Sequence, residues 1–515
     1  MKHIILCGPP ASGKSTVGKA LAKKLDLPFV DLDIAIEKKA GRPIPSIMAE
    51  QGEPAFRDQE SAALGEALAG DARIVALGGG ALLRAENRRM AEAAGTVVCL
   101  QARLDALLAR LGESDGQRPL LAGNIREKLP ALLEARAEHY RSFPLNIDTT
   151  GLEPEEIIWQ IQVALGHFRV GGMGRSYDVL VEPAGIDSLG ARLRERKLNG
   201  PVALVSESNV GPLYAERALK ALRAADYQPA LITVPAGEAH KTLESIQAIW
   251  RGFLQAGLDR KSTVVALGGG VVGDMAGFAA ATFMRGCPWV GVPSSLLSMV
   301  DASLGGKTGV DLPEGKNLVG AFHPPSLVLA DPGLLGTLPE PELRSGLAEV
   351  LKHGIISDPG LFELCAAGYE SVKRDLPAIV RRAMAVKVAF IEADPYERGV
   401  RAALNLGHTV GHAVELVSRF ELRHGEAIAI GTVVEARLAE RLGLAEAGLS
   451  EEIGVAFAEL GLPTQIPPAM SREAILQAML VDKKKAAGVV RFALPLAIGK
   501  VEIGVPVEDL SMIFE

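Results

Sequence analysis

The chain has 515 residues, which at roughly 150 residues per domain implies more than one domain. Its net charge of −7, from 55 Lys and Arg against 62 Asp and Glu, excludes a general nucleic-acid binder, because no global positive field draws in phosphate backbones. A hydrophobic share of 48% with 23% charged residues excludes a disordered chain, and 56 glycines beside only 4% aromatics point to tight turns and close backbone approach to ligands. The longest stretch free of Asp, Glu, Lys and Arg, residues 286–300, is shorter than the roughly 20 residues of a membrane span and carries Pro288 and Pro293. The apolar run 4–7 is too short for the roughly 7–15-residue core of a signal peptide. Cys7, Cys99, Cys287 and Cys365 show no close pairing and are expected as reduced, mostly buried thiols of a cytoplasmic protein.

In chain order, residues 3–7 read as a strand and 15–25 as a helix, with Val17, Leu21 and Leu25 on one face. Residues 74–77 and 96–100 read as further buried strands, so 1–165 is expected to be an α/β domain with a parallel sheet. Pro154, Glu155 and Glu156 open a closing helix with Ile157, Ile161 and Leu165 at helical spacing. Four glycines in 166–174 suggest a linker over 166–175. The alternation restarts with strands at 202–206, 230–234 and 263–267, giving a second parallel α/β domain over 176–338. From 339 to 515 helical periodicity dominates, as in 376–391 and 427–442, and a mostly helical domain is expected. Residues 75–80 and 265–270 carry the same string, VALGGG, expected as one device used twice: a buried strand ending in a bare-backbone turn.

Residues 8–15, GPPASGKS, fit G-x-x-x-x-G-K-[ST] between a strand and a helix. Bare backbone N–H groups and a helix N-terminus there surround phosphate oxygens, Lys14 reaches the outer phosphates and Ser15 holds Mg²⁺. The motif specifies a nucleotide but no acceptor. Asp31 and Asp33 follow a short strand, 29–30, and are expected on the same side of an extended chain, one serving Mg²⁺ and the other an acceptor hydroxyl.

With Arg57 in GEPAFR, Gly78-Gly79-Gly80, Arg118 before Pro-Leu-Leu, and Arg136 ahead of Tyr140-Arg141, residues 1–168 resemble shikimate kinase. The resemblance implies that Asp33, Arg57, Gly79, Gly80 and Arg136 bind shikimate, whose carboxylate suits paired guanidinium groups. It makes Asp33 the group that orients the attacking hydroxyl, and Arg118 the lid arginine that closes over the transferring phosphoryl group and excludes water. ATP contacts are implied for Gly8, Pro9, Pro10, Ala11, Ser12, Gly13, Lys14, Ser15, Thr16, Arg110 and Arg118, and Mg²⁺ contacts for Ser15 and Asp31.

In the second half, 268–273 contain G-x-G-x-x-G after a strand, but the usual acidic partner about 20 residues on is replaced by Pro293-Ser294-Ser295, so an ordinary dinucleotide fingerprint is not expected. Small, polar and cationic residues (Ser294, Ser295, Asp301, Lys307, Lys316, Asn317) collect in an otherwise apolar stretch. His408 and His412 lie four apart, on one face if helical, and spacing alone pairs them as metal ligands, with His424 and Glu349 elsewhere in the chain.

Residues 175–515 are similar to 3-dehydroquinate synthase through strings such as GGGVVGD (268–274), FMR (283–285), PSSLL (293–297), GGK (305–307), GKN (315–317), AEVLK (348–352), NLGH (405–408), HGE (424–426) and DKK (482–484). The similarity corrects the spacing argument: it implies Glu349, His408 and His424 as Zn²⁺ ligands, with Co²⁺ an alternative metal, and turns His412 toward substrate. It implies Arg285, Lys307, Asn317, Lys352, Lys387, Arg401 and Asn405 on substrate carboxylate, phosphate and hydroxyls, joined by Lys483 or Lys484. For NAD⁺ it implies Glu207, Asn209, Glu238, Lys241, Gly269, Gly270, Asp274, Ser294, Ser295, Asp301 and Lys316.

Lys14, Asp33, Arg118, Lys307, Lys352 and His412 are the expected catalytic groups. The two resemblances together imply a bifunctional enzyme acting on small molecules: shikimate with ATP, and a heptulosonate 7-phosphate with NAD⁺ and Zn²⁺. A homodimer through the second half is a further expectation. Three alternatives stay open: another sugar-phosphate cyclase, a metal-dependent alcohol dehydrogenase, and a non-catalytic nucleotide-binding first half.

Overall fold

The computed structural model describes residues 2–111, 124–485 and 489–514, the side chains of 481–485 excepted. The chain divides into two compact units, Met1–Leu165 and Gly166–Glu515.

The first unit is built on a five-stranded sheet in the order Phe29–Asp31, Ile74–Ala76, His3–Cys7, Gly95–Gln101, Leu145–Asp148. All pairs are parallel. The central strand His3–Cys7 is buried throughout, as a strand covered on both faces must be. Val17, Leu21 and Leu25 of the helix Lys14–Leu25 pack on one face against Ile4, Leu6 and the closing helix Pro154–Leu165. On the other face Ile5, Cys7, Val75 and Cys99 pack with Leu32, Ile47 and Phe56. Cys7 and Cys99 are register partners on neighbouring strands, a proximity not expected from the sequence, where the four cysteines show no close pairing. All four are free and buried. The sheet brings the ends of distant strands together; separation along the chain does not report that.

The second unit has a seven-stranded sheet ordered His167–Val170, Tyr177–Val181, Leu327–Ala330, Trp289–Pro293, Thr263–Gly268, Val202–Glu207, Pro229–Val234. Every pair is parallel except the first. The expected linker over 166–175 is therefore corrected. Its His167–Val170 segment is an antiparallel edge strand, because His167, Phe168 and Val170 all find buried positions against Tyr177–Val181. The glycines take the ends, where Gly166, Gly172 and Gly174 turn with positive φ.

A two-stranded hairpin, Lys307–Leu312 with Gly315–Phe322, is inserted between the sheet strands Trp289–Pro293 and Leu327–Ala330. From Glu340 onward the unit is helical, including Glu340–Ser357, Leu376–Ala393, His408–Val417 and His424–Arg441. The helical expectation needs one amendment: Val490–Ala497 and Lys500–Val507 form a hairpin whose Phe492, Leu494 and Val507 pack against Val410, Ile430 and Val434. Its apolar residues alternate at strand spacing rather than helical spacing.

The VALGGG strings end buried strands in both units. The first leads through a turn into a short 3₁₀ segment, Ala81–Leu83, whereas the second runs directly into the helix Gly270–Thr282. Among the described residues no helix is long and apolar enough to cross a membrane.

Candidate active sites

In the first unit the loop after His3–Cys7 is shaped by backbone. Gly8 and Gly13 have φ of 135° and 94°, and a Cβ on Gly8 would lie 2.0 Å from the Leu100 carbonyl oxygen. No other residue fits there without moving the neighbouring strand. Lys14 Nζ donates to the carbonyls of Gly8 (3.0 Å) and Pro9 (2.8 Å), so its ammonium lies over the loop. Ser15 Oγ donates to Asp31 Oδ2 at 2.5 Å, bringing together the two residues expected to hold Mg²⁺.

Asp31 and Asp33 do not share the face of an extended chain. Asp31 ends the strand and caps the helix Leu32–Ala40, its Oδ1 accepting from the backbone N–H of Asp33 and Ile34, while Asp33 lies in the first helical turn. The helix begins at Leu32, inside the stretch expected to be extended, since an Asp that can satisfy free N–H groups is a strong start signal. Burial, and then the neighbouring Asp31 carboxylate, push the Asp33 pKa up to about 6.

Asp33 is met by a carboxylate that sequence reasoning missed. Glu60 is 1% exposed. A Cβ on Gly78 would lie 2.8 Å from Asp33 Oδ1 and 3.0 Å from Glu60 Oε1, so both acids crowd the bare Cα of that glycine. Arg57 Nη1 donates to Glu60 at 2.8 Å, and Arg57 also pairs with Glu53 at 3.0 Å. The spacing Arg57 to Glu60 on a helix was the available signal. A Cβ on Gly80 would meet Arg57 Nη2 at 2.9 Å. Arg136 Nη1 and Tyr140 OH both donate to the Gly79 carbonyl, at 3.0 and 2.8 Å. Asp33, Arg57, Gly79, Gly80 and Arg136 are thus gathered as one constellation around a glycine turn. Arg110 is fixed elsewhere, donating to Thr149 Oγ1 (2.9 Å) and the Thr149 carbonyl; Thr149 Oγ1 in turn reaches the Ser12 carbonyl at 3.4 Å. Arg118 lies outside the described residues.

In the second unit, side chains from three helices meet. Glu349 comes from Glu340–Ser357, while His408 and His424 are the first residues of their helices. Their candidate ligand atoms all lie within 4.8 Å of one another. Glu349 is fully buried, and its Oε1 lies 3.5 Å from His424 Nε2 and 3.8 Å from His408 Nε2. Both imidazoles are backed through the other nitrogen, His408 Nδ1 by the Leu406 carbonyl (3.2 Å) and His424 Nδ1 by Glu415 Oε2 (3.3 Å). This leaves two Nε2 atoms and one carboxylate oxygen converging, a donor set suited to Zn²⁺ with a further position open. Among the described residues no hydrogen bond reaches the buried Glu349 Oε1, as expected of an oxygen kept for a cation. The residues therefore fit a zinc ion.

The helical pairing of His408 with His412 holds as a ring contact, with centroids 4.9 Å apart, but His412 is exposed and outside the triangle. Burial would raise the Glu349 pKa, yet the Lys352 ammonium, with His424 and His408, holds it well below the usual carboxylate range. Lys352, 1% exposed, pairs with Glu349 and donates to the Leu404 carbonyl at 2.8 Å.

Lys387 pairs with Asp301, and Asp301, Glu349 and His353 bring their ligand atoms within 4.8 Å of one another. Asp301 thus carries the end of the nucleotide-half segment to the metal triangle. Lys307 and Asn405 both bind the carboxylate of Glu397, a residue absent from the expected set that sits on left-handed backbone (φ 57°). Arg401 is buried and donates to the Pro395 carbonyl at 2.7 Å. Arg285 sits on left-handed backbone at the exposed end of Phe283–Arg285. The side chains of Lys483 and Lys484 lie outside the described residues.

Asn317 departs from its expected company. Its Oδ1 accepts from Lys241 Nζ at 2.5 Å, its N–H donates to Asp311 Oδ1 at 2.7 Å, and Lys241 pairs with Asp274 at 2.6 Å. Asn317, on left-handed backbone (φ 55°), thus contacts Lys241, a residue of the expected NAD⁺ set. Glu207 spends its carboxylate on its own turn, accepting from the N–H groups of Asn209 (2.5 Å) and Val210 (2.9 Å). Ser295 Oγ would lie 3.5 Å from a Cβ on Gly269, so serine and bare glycine face each other across the strand ends.

A phosphate-binding loop beside an acid-and-arginine pocket, and a carboxylate–imidazole triangle beside a Gly-rich strand end, define two enzymes of unlike chemistry on one chain. Residues 10–165 match the shikimate kinase family model, 231–345 the 3-dehydroquinate synthase N-terminal model and 346–485 its C-terminal model. The chain is 46% identical over 336 residues to 3-dehydroquinate synthase of Nostoc punctiforme, covering 64% of this chain and 93% of that one. Among solved structures it is similar to 2-epi-5-epi-valiolone synthase of Streptomyces hygroscopicus with NAD⁺ and Zn²⁺ bound (31% identity, TM-score 0.60, 67% of this chain and 96% of that chain). It is also similar to shikimate kinase of Acinetobacter baumannii in complex with shikimate (37% identity, TM-score 0.31, 32% and 93%). The chain belongs to the 3-dehydroquinate synthase family and carries a shikimate kinase domain ahead of it. The pair makes it a bifunctional shikimate-pathway enzyme, a kinase joined to a lyase.

Proposed function

We propose that the second unit converts 3-deoxy-D-arabino-heptulosonate 7-phosphate to 3-dehydroquinate and phosphate with NAD⁺ and Zn²⁺, and that the first phosphorylates the 3-hydroxyl of shikimate from MgATP. The observation that carries the synthase assignment is the buried Glu349 carboxylate, shared by Lys352 and two imidazole Nε2 atoms with Asp301 beside it. Glu349, His408 and His424 would hold Zn²⁺, which would supply Lewis-acid polarisation of the substrate C5 oxygen, and bound NAD⁺ would supply a reversible hydride acceptor for C5. Lys352, Lys387 and Arg401, all buried, supply fixed positive charge for the substrate carboxylate and phosphate, and Asn405 a donor for its hydroxyls. His412, exposed and in ring contact with His408, would move a proton at the substrate. Lys307 and Asn405, tied to Glu397, hold one substrate conformer while phosphate leaves and the carbocycle closes.

The test uses the full chain. Heptulosonate phosphate with NAD⁺ and Zn²⁺ should release phosphate and form 3-dehydroquinate with no net NADH. Net NADH from a simple polyol would instead establish a dehydrogenase. ADP formation should require shikimate; ATP consumption indifferent to shikimate would remove that acceptor.

In the kinase, Asp33 must be ionised to accept the hydroxyl proton. Its pKa is pushed up to about 6 by burial, so the active fraction is lost as pH falls through that value. With both substrates subsaturating, kcat/KM should therefore drop about tenfold per unit below about pH 6. A profile flat down to pH 5 would remove Asp33 from that role.

A further inference from the structure

Glu415 is a buried carboxylate with two partners of different kinds. Its Oε2 lies 3.3 Å from His424 Nδ1, on the far side of the imidazole from the metal triangle. Its Oε1 accepts from Lys316 Nζ at 3.1 Å. Lys316 belongs to the hairpin strand Gly315–Phe322 and, on the reading above, to the dinucleotide site. The lysine is also held by Phe420, whose ring centroid lies 4.1 Å from Nζ. Phe420 reaches that place from a turn in which both Arg419 and Phe420 have positive φ, 55° and 63°. Non-glycine residues adopt such backbone at a cost, and it is kept where the surroundings demand it.

One carboxylate thus joins a metal ligand to a cofactor lysine across three chain segments. We infer that Glu415 couples the two cofactor sites, so that NAD⁺ and Zn²⁺ each tighten the binding of the other through Lys316, Glu415 and His424. The sign follows from competition for the carboxylate. Lys316 and the His424 Nδ1–H share its negative charge. When cofactor phosphate draws the ammonium away, Glu415 bears fully on the imidazole, and His424 Nε2 becomes a better metal donor. Linkage makes the effect reciprocal. This inference rests on the assignment of Lys316 to NAD⁺.

The test is equilibrium binding on the metal-stripped full chain. Zn²⁺ affinity is measured by chelator competition with and without saturating NAD⁺, and NAD⁺ affinity with and without Zn²⁺. In the unaltered protein each ligand should tighten the other by about fivefold or more. Glu415→Gln keeps an oxygen for His424 Nδ1 but abolishes the ion pair with Lys316, and should reduce the coupling to within about twofold. Lys316→Met should do the same, and the double variant should show no additional loss, because the two changes remove one link. A merely structural Glu415 would weaken both affinities and leave their ratio intact; that result, or independent binding in the unaltered protein, would overturn the inference while leaving the synthase assignment standing. Failure of the unaltered protein to bind either ligand would overturn both.

Discussion

Lys14→Ala should lower the kinase activity by about a thousandfold or more while leaving the synthase untouched, the loss expected when a preorganised charge aimed at a transferring phosphoryl group is removed. The loop itself should survive. Its shape is set by the positive φ of Gly8 and Gly13 and by the close approach of Gly8 to Leu100, not by the lysine. The Gly8 and Pro9 carbonyls that lose the ammonium are in a part-buried setting, so the cost to folding is small beside the cost to catalysis. The synthase is spared because its metal triangle and its cationic groups all belong to the other compact unit. Assaying both reactions on one folded preparation decides the matter. Simultaneous loss of both would mean that the two centres are not independent.

Glu349→Gln should abolish the synthase, spare the kinase and reduce Zn²⁺ affinity by at least about a hundredfold, beyond what loss of an outer hydrogen-bond partner costs. Two effects add. The amide oxygen is a weaker donor than a carboxylate, and its NH₂ group would compete for the same space between His408 and His424. The substitution also leaves Lys352, 1% exposed, without its anion. Breaking a buried pair from one side costs about 3–5 kcal/mol, since the remaining charge stays uncompensated. The Leu404 carbonyl still accepts from Lys352 and limits that penalty. Metal analysis, the phosphate-release assay and a thermal scan should therefore show little zinc, no synthase and a lower transition for the second unit, with the first unchanged. Full zinc occupancy in the variant would remove Glu349 from the ligand set.

The contrast between these two sites explains what was legible. The phosphate loop could be read directly because all its chemistry lies within residues 8–15, one strand-to-helix turn. The alternation of buried strands and amphipathic helices was legible for the same local reason, and 3–7, 202–206 and 263–267 fall on strands of the structure. The pairing of His408 with His412 was local too, and the rings do touch. That spacing could not reveal which third group completes a metal site, because helical periodicity says which side chains share a face and nothing about what another helix brings to it. Resemblance, not spacing, pointed to Glu349.

Glu60, Glu397 and Glu415 stayed hidden, since an acidic residue in a helix or a turn usually means a solvated surface. A specific partner sets all three apart, and burial sets apart Glu60 and Glu415. The Asp31 cap and the strand His167–Val170 show the same limit at the level of backbone. By itself the sequence determined the local elements, the nucleotide loop and the inventory of histidines and charges, because each depends on neighbours a few residues away. Only the tertiary structure decided that Glu349, His408 and His424 converge, that Glu415 spans a lysine and a metal ligand, and that a Gly-rich segment pairs as a strand, because each depends on the packing of segments remote in the chain.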